Sequence, residues 1–402
     1  EVEMPWEVKS VEMIREEFVK QVLADSKKKN ALCKQYGISR PTGDKWLKRY
    51  QAGEGFKDRS HRTFRTPANK ITASMEEEIV RHRRKVSGIG AVKLKRLMQN
   101  EGITGLPSHS TINAVFKRNN LIDKKDSEGR KPTERFEHAQ ANDLWQADFK
   151  GNFLLEDGQR CYPLSIIDDC SRFCVCMEAK ENEQREGVLA SLVWAFTTYG
   201  QPKALLCDNG NPWGDSRGRG YTKLELWLLE HSVLIQHIRP GRPKTQGKVE
   251  RFNRSYKDER LKQGRPANMQ AAREQCLEYR EFYNNTRPHH ALKLDVPGSR
   301  YQVSKISFQE EVIEWQYSGE HQVQKVNSNG YLTIGKNSYY FSESFAGKLV
   351  ELKESKNVKS ILNVCFREYL VAKLNKVDGY FFSKKPYLII ADPRVKGDIF
   401  VD

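Results

Sequence analysis

Apolar residues from Val8 to Ala24 recur at helical spacing, at Val11, Ile14, Phe18 and Val22, which predicts an amphipathic helix. The stretch KNALCKQYGISRPTGDKWLKRYQAGE then predicts a short helix (Ala31 to Tyr36) and a tight turn at Gly37-Ile38. A second helix follows, N-capped by Ser39 and carrying Trp46, Leu47 and Tyr50. Two helices across a glycine-containing turn form the helix-turn-helix arrangement, whose second helix can lie in a DNA major groove. Arg40, Thr42, Lys45, Lys48 and Arg49 are then its outward, DNA-directed positions. A generic helical hairpin with a solvated basic face is the competing reading.

The stretch FKDRSHRTFRTPANK has no periodicity and many turn formers, so residues 56–70 read as a basic linker. Its Arg62 and Arg65 either follow phosphates or a minor groove, or are simply solvated. A helix start at Thr72 opens a second unit over 71–122, with or without a wing. GIGAVKLKRLMQNEG and LPSHSTINAVFKRNNLI repeat the helix-turn-helix grammar there, with Ile112, Val115 and Phe116 facing inward. Ser108, as cap, and His109 and Thr111 behind it are its DNA-directed positions. Residues 123–140 are polar and read as another linker.

From Asn142 the period changes from helical to alternating. LWQADFKG and NFLLEDGQRCYPLSIIDDCSRFCVCMEA predict three adjacent antiparallel strands, with a hairpin signal at Asp157-Gly158. A helix ended by Gly200, a short strand stopping at Asp208, a helix over TKLELWLLEHS, the strand VLIQHI and a helix from Gln246 to Leu261 follow. That order is the RNase H-like α/β arrangement with a mixed sheet, over 141–300 and closed by a helix from Met269 to Tyr283. Beyond Ile306 a hairpin around Gly335-Lys336-Asn337 and the strands GKLVELKE and SILNVCF predict a small β-barrel over 305–373. The tail, 374–402, has no assignment. The expectation is a multidomain chain: all-α helix-turn-helix units, an RNase H-like α/β core and a C-terminal barrel.

Charge narrows the partners. The 402 residues carry a formal net charge of +16, which favours polyanions, nucleic acid first. The longest apolar run, LASLVWAF, is far too short for a membrane span, and no basic amphipathic stripe is evident. Trp6 to Val19 is studded with charges, unlike a secretory leader, and Glu1-Val2-Glu3 reads as an addition ahead of a start at Met4. The eight cysteines are irregularly spaced, which argues against a disulfide framework and for a reducing cytoplasm. Cys170, Cys174 and Cys176 invite a zinc reading, but free cysteines packed along an apolar strand are the simpler one.

Three carboxylates then stand out. Asp148 lies mid-strand, Asp208 ends a strand and Glu250 opens a helix within the basic run PKTQGKVERFNR. The topology brings all three to one end of the sheet, where they repel unless cations neutralise them. Such hard oxygen ligands suit Mg²⁺ or Mn²⁺. Two ions about 3.5–4 Å apart can clamp the attacking and leaving oxygens of a phosphoryl displacement. On its helix Glu250 shares a face with Gly247, Asn253, Arg254 and Lys257, opposite a buried face of Val249, Phe252 and Tyr256. Lys244, Lys248, Arg251 and Arg254 would hold DNA phosphates around it. Alone, Glu250 would instead read as a surface pair with Arg254, worth a few tenths of a kcal/mol.

WQADFKG, IIDDCSRF, CDNG, RPGRPKTQGKVERFNR and YNNTRPHHAL resemble, in order, the signature blocks of bacterial DDE-type insertion-sequence transposases. Their core is similar to that of retroviral integrases. The resemblance covers residues about 140 to 300 closely and implies that Asp148, Asp208 and Glu250 are the catalytic, metal-binding triad. It further implies binding of the element's terminal inverted repeats, metal-dependent release of a 3′-OH and its transfer into target DNA. A homodimer or higher multimer on paired ends, a circular intermediate and a bacterial, nucleoid-associated location come with it. Two departures matter. The zinc-binding N-terminal domain of retroviral integrases is absent, and the interval from Asp208 to Glu250 is long for the family. The extra length falls in NPWGDSRGRGYTK, where Trp213 either stacks on a base or fills a core. Asp168 and Asp169 are either extra metal ligands or, more simply, one of them orients Arg172 or caps a turn. His289 and His290 are placed in a structural or DNA-contacting role, and His237 and Lys248 are candidates for phosphate contact. A non-enzymatic DNA-binding regulator with an inactive core is the alternative function, and a structure-specific nuclease ranks third.

Overall fold

A computed structural model describes residues 9–59, 71–122, 137–214, 220–238, 246–355, 358–377 and 379–382. The chain separates into two units, Glu1–Lys70 and Ile71–Asp402. In the first, α1 (Val11–Ala24) starts where the Ser10 side chain accepts from the Met13 amide. α2 (Lys29–Gln35) leads through Gly37, at φ +62°, to α3 (Arg40–Gln51). That left-handed backbone favours glycine. Ser39 caps α3 by accepting from the Thr42 amide. Phe18, Val19, Val22, Cys33 and Trp46 form the small core. The buried stripe therefore excludes Val11 and Ile14, which the spacing alone had included and which are exposed. A Cβ on Gly43 would lie 2.9 Å from Cys33 Sγ and 3.0 Å from the Phe18 ring, so the bare backbone lets α3 close on α1.

The second unit opens with α4 (Ala73–Lys85), capped by Thr72, then α5 (Ala91–Asn100) and α6 (His109–Arg118), capped by Ser108. Ile79, Leu94, Leu97, Met98, Ile112, Val115 and Phe116 fill the space between them. The connection from α5 to α6, residues 101–108, is longer than the tight turn of the first unit.

The central sheet comprises β1 (Trp145–Phe149), β2 (Phe153–Leu154), β3 (Arg160–Asp168), β4 (Cys174–Lys180), β5 (Ala204–Cys207) and β6 (Leu234–His237). β3 pairs antiparallel with β1, β2 and β4, whereas β1, β5 and β6 are parallel. This is a mixed sheet of RNase H-like order. α7 (Arg185–Tyr199) and α8 (Lys223–Glu230) cover one face, burying Trp145, Ala147, Leu205, Leu192, Phe196 and Leu228. α9 (Gly247–Tyr256), the π-helical turn Lys257–Leu261 and α10 (Met269–Asn285) belong to the other, with Val249, Phe252, Tyr256, Cys276 and Tyr279 buried. A bulge in the β3–β4 pairing puts Cys174 in this second core and Cys176 in the first. The two thiols are buried apart in separate cores, where burial pushes both well above the ordinary thiol range. That geometry suits packing, not a shared zinc.

Gly200 ends α7 at φ +71°, where a Cβ would lie 2.7 Å from the Ile306 carbonyl oxygen. Gly200→Ala is expected to destabilise this unit by roughly 1–3 kcal/mol, read as a lower urea midpoint at unchanged slope.

The C-terminal part departs from the expected barrel. β7 (Gln322–Lys325), β10 (Leu349–Glu354), β11 (Ile361–Phe366), β12 (Tyr369–Asn375) and β13 (Tyr380–Phe382) form an open five-stranded sheet in the order β13-β12-β11-β10-β7. β8 (Tyr331–Ile334) and β9 (Asn337–Tyr340) make the expected hairpin as a separate pair. Closure would need β7 to pair with β13, and among the described residues it does not. β13 also shows that the sheet runs into the stretch read as tail. Tyr221, Leu226 and Leu229, on and just before α8, pack into the core of this sheet, so α8 is buried on two sides.

Candidate active site

The parallel register sets Trp145 beside Leu205 and Gln146 beside Leu206. Asp148 and Asp208 therefore emerge together at the C-terminal edge of two neighbouring strands. α9 is fastened across that edge by side chains. The Gln246 amide donates to the Ala147 carbonyl at 3.0 Å, and the Asn253 amide to Asp148 Oδ2 at 3.0 Å. Ser165, opposite Asp148 on β3, donates to Asn253 Oδ1 at 2.8 Å. Asn253 thus belongs to the buried face of α9, not to the Glu250 face where periodicity had placed it.

Electrostatics show the consequence. Burial, then the charges of Asp208 and Glu250, push Asp148 up to about 7, against the hydrogen bond from Asn253. Glu183, between β4 and α7, is also raised, by burial and by Asp208. It is a fourth carboxylate that the sequence reading missed, and its only signal was its place directly after an edge strand. Glu250 is exposed, and the surface pair with Arg254 is not formed among the described residues. Asp208 is held from behind. His237, fully buried, has Nδ1 2.8 Å from the Asp208 carbonyl oxygen and Nε2 2.8 Å from Glu225 Oε1. His237 is therefore an interior brace and not a phosphate contact. Its partner Glu225, which also caps α8, was not singled out by the sequence.

Among the described residues no group of three or more His, Cys, Asp or Glu side chains is gathered closely enough to hold a metal ion. Asp148, Asp208 and Glu250 share an edge and a field. As a donor set of carboxylates in which Asp208 and Glu250 raise Asp148, they suit a hard divalent cation, which would remove that repulsion.

Other predicted positions divide. Arg40, Lys45 and Lys48 are exposed on α3, and the Thr42 hydroxyl lies 2.8 Å from Ser39 Oγ within the cap. Arg49 instead folds back, stacked 4.7 Å over Trp46 and bonded to Glu54 and to the Gly55 and Lys57 carbonyls. Ser108 and His109 are exposed, while Thr111 is half-buried with its amide bonded to Ser108. Lys248 is directed at the buried Asp169, which lowers its availability to phosphates, whereas Arg251 and Arg254 are exposed. Trp213 is 2% exposed and packs on Phe149, so its faces are spent in the core and not offered to a base. Asp168 caps its turn through the Ser171 amide and hydroxyl, and Asp169 takes Gln146 and His138. Arg172 pairs with Glu137 instead of either aspartate. His289 is buried, with burial and Arg287 depressing it to about 2, and His290 is exposed. Arg62, Arg65 and Lys244 lie outside the described residues.

A mixed sheet with carboxylates at one edge, in a chain that also carries a helix-turn-helix, defines an integrase-like core protein. Family models described as integrase core domain match residues 138–243 and 231–297, and one described as helix-turn-helix domain matches residues 14–63. The insertion element IS407 uncharacterized 31.7 kDa protein of Burkholderia multivorans (strain ATCC 17616 / 249) is 27% identical over 234 residues, covering 57% of this chain and 80% of the relative. The IS476 uncharacterized 39.2 kDa protein of Xanthomonas euvesicatoria is 28% identical over 236 residues, covering 57% of this chain and 64% of the relative. Among solved structures, the HTLV-2 integrase catalytic core domain in complex with magnesium is 14% identical with a TM-score of 0.31, covering 40% of this chain and 97% of that one. The simian T-cell lymphotropic virus intasome in complex with PP2A regulatory subunit B56 gamma is 13% identical with a TM-score of 0.34, covering 70% and 93%. The integrase core matches, the helix-turn-helix match and the insertion-element relatives together support a DDE-type, integrase-like insertion-sequence transposase. Among the described residues no helix is long and apolar enough to cross a membrane.

Proposed function

We propose that the protein is a DNA transposase that binds the terminal inverted repeats of its element, frees a 3′ end and joins it to target DNA. The observation that carries this reading is the convergence of Asp148, Asp208 and Glu250 at one sheet edge, close enough for two of them to raise the third. Asp148, Asp208 and Glu250 would hold Mg²⁺ or Mn²⁺, two ions per site, supplying Lewis-acid activation for in-line phosphoryl displacement. The chain's own groups do the positioning. Asn253 fixes Asp148, the Glu225–His237 brace fixes the Asp208 backbone, and Arg251 and Arg254 on α9 take flanking phosphates. α3 and α6 supply sequence readout in the major groove. The domain boundaries 8–55, 71–122 and 141–300, a multimer on paired ends and a cytoplasmic, nucleoid-associated location belong to the same proposal.

The test is nicking of a supercoiled plasmid carrying the gene's flanking DNA, in Mg²⁺ and in Mn²⁺, with Glu250→Gln alongside. Breaks at fixed positions in the flanks, lost in the variant, are the expected result. Protection of that DNA without breaks would make the protein a regulator with an inactive core.

A further inference from the structure

The α4–α5 turn rests on the core directly behind α9. Ser87 Oγ donates to the Asp258 carbonyl at 2.8 Å, and Gly88, at φ +78°, leaves room for Asp258 Cβ 3.2 Å from where its own Cβ would be. The Gln263 amide reaches the Lys85 carbonyl and Ser87 Oγ at 3.3 Å, and Phe282 of α10 joins the α4–α6 core. This contact buries a cation with nothing to pair it. Lys93 on α5 is 9% exposed and makes no hydrogen bond or ion pair among the described residues. Its Nζ is not among the fully enclosed unpartnered atoms, so it keeps an opening to solvent.

Its surroundings are cationic. Arg287 and Arg251 lie close enough to disfavour its charge, and Lys93 in turn disfavours charge on His290. The one nearby anion, Glu259, is already taken. Arg287 donates to both its oxygens, at 2.6 and 2.8 Å, and Tyr279 donates at 3.2 Å. Burying an unpaired ammonium is costly unless an anion completes it. Burial, and then Arg287, depress Lys93 to about 7.

We propose that Lys93, with Arg251 and His290 at its rim, is a seat for one DNA backbone phosphate, formed jointly by the second helix-turn-helix unit and the helix that carries Glu250. The inference rests on the DNA-directed reading above. The phosphate would supply the missing counter-charge and draw the duplex toward the acids.

The test is binding of the full chain to a short labelled duplex across a KCl series, for wild type, Lys93→Met and Lys93→Arg, with melting of each free protein. A seat predicts that Lys93→Met lowers the slope of log affinity against log salt by about 0.9, the share of one phosphate, and that Lys93→Arg restores it. The free Lys93→Met protein should melt no lower than wild type, because a buried charge has been removed. Equal slopes and affinities in wild type and Lys93→Met would overturn the seat while leaving DNA binding standing. Failure of the wild type to bind any duplex would instead sink the DNA-directed reading, and the seat with it. Inorganic phosphate that raises the melting temperature of wild type but not of Lys93→Met, with equal duplex slopes, would give the seat to a free anion and also overturn the proposal. If Lys93→Met fails to fold, amine acylation of the wild type decides: protection of Lys93 by duplex supports the seat, and equal labelling with and without duplex rejects it.

Discussion

Asp208→Asn is expected to abolish DNA cleavage while leaving duplex binding at the wild-type level. The substitution keeps the shape of the side chain and its hydrogen bond from the Gly210 amide, at 3.0 Å, and removes only the charge. That charge is one of three, with Glu250 and Glu183, that raise Asp148, so the set would lose part of the negative charge proposed to hold a cation. Loss of several kcal/mol of transition-state stabilisation corresponds to a rate drop on the order of a thousandfold or more. Binding should persist because α3 and α6 lie on elements that do not contain Asp208. The measurement is a matched pair: strand nicking in Mg²⁺ and a mobility shift on the same flanking DNA. Loss of both together would mean that the substitution had unfolded the core, or that the acid serves the fold and not the chemistry.

The second large effect is structural. Arg287→Met should lower the stability of the Ile71–Asp402 unit by about 3–5 kcal/mol, because Glu259 would be left buried and uncompensated. Arg287 and Glu259 are both nearly sealed from solvent, and the pair lies beneath the π-helical turn that continues α9. Glu259→Gln combined with Arg287→Met should recover much of that loss, since no lone charge remains. Urea unfolding of the two single variants and the double variant measures this coupling. Additive losses would show that the two side chains contribute separately, through packing alone.

The RPHHAL block acquires a physical reason from the same pair. Its Arg287 neutralises the π-turn, its His289 is buried and uncharged against Arg287, and its His290 faces outward. The sequence shows such a block but not what it packs on, because Glu259 is far from it along the chain.

Readability followed the range of the interaction. Helix starts at Ser39, Thr72 and Ser108 were legible because a cap is a contact over three residues. The strands carrying Asp148 and Asp208 were legible because alternation and a following turn are local too. Partner choice was not. Arg49, Lys248 and Trp213 looked outward by type and position, but distant groups, Glu54, Asp169 and Phe149, claim them. Asn253 shares a helical face with Glu250 on an ideal wheel, yet the reach of Asp148 and Ser165 turns it inward. The expected barrel failed for a related reason. The strands β8 to β11 are visible singly, but whether the first and last of a sheet meet depends on twist and on what α8 buries.

The seating of Ser87 and Gly88 on Asp258 has one more consequence. It fixes α4, and through the shared core α6, to the same rigid turn from which α9 carries Glu250 back toward Asp148. On the proposed reading, the offset between the bases read by α6 and the bond that is cut becomes a property of the protein, not of the DNA. The molecule carries its own ruler. Inserting half a helical turn of DNA between the recognised bases and the cleavage point should then leave binding intact while moving the cut to a new sequence at the old distance.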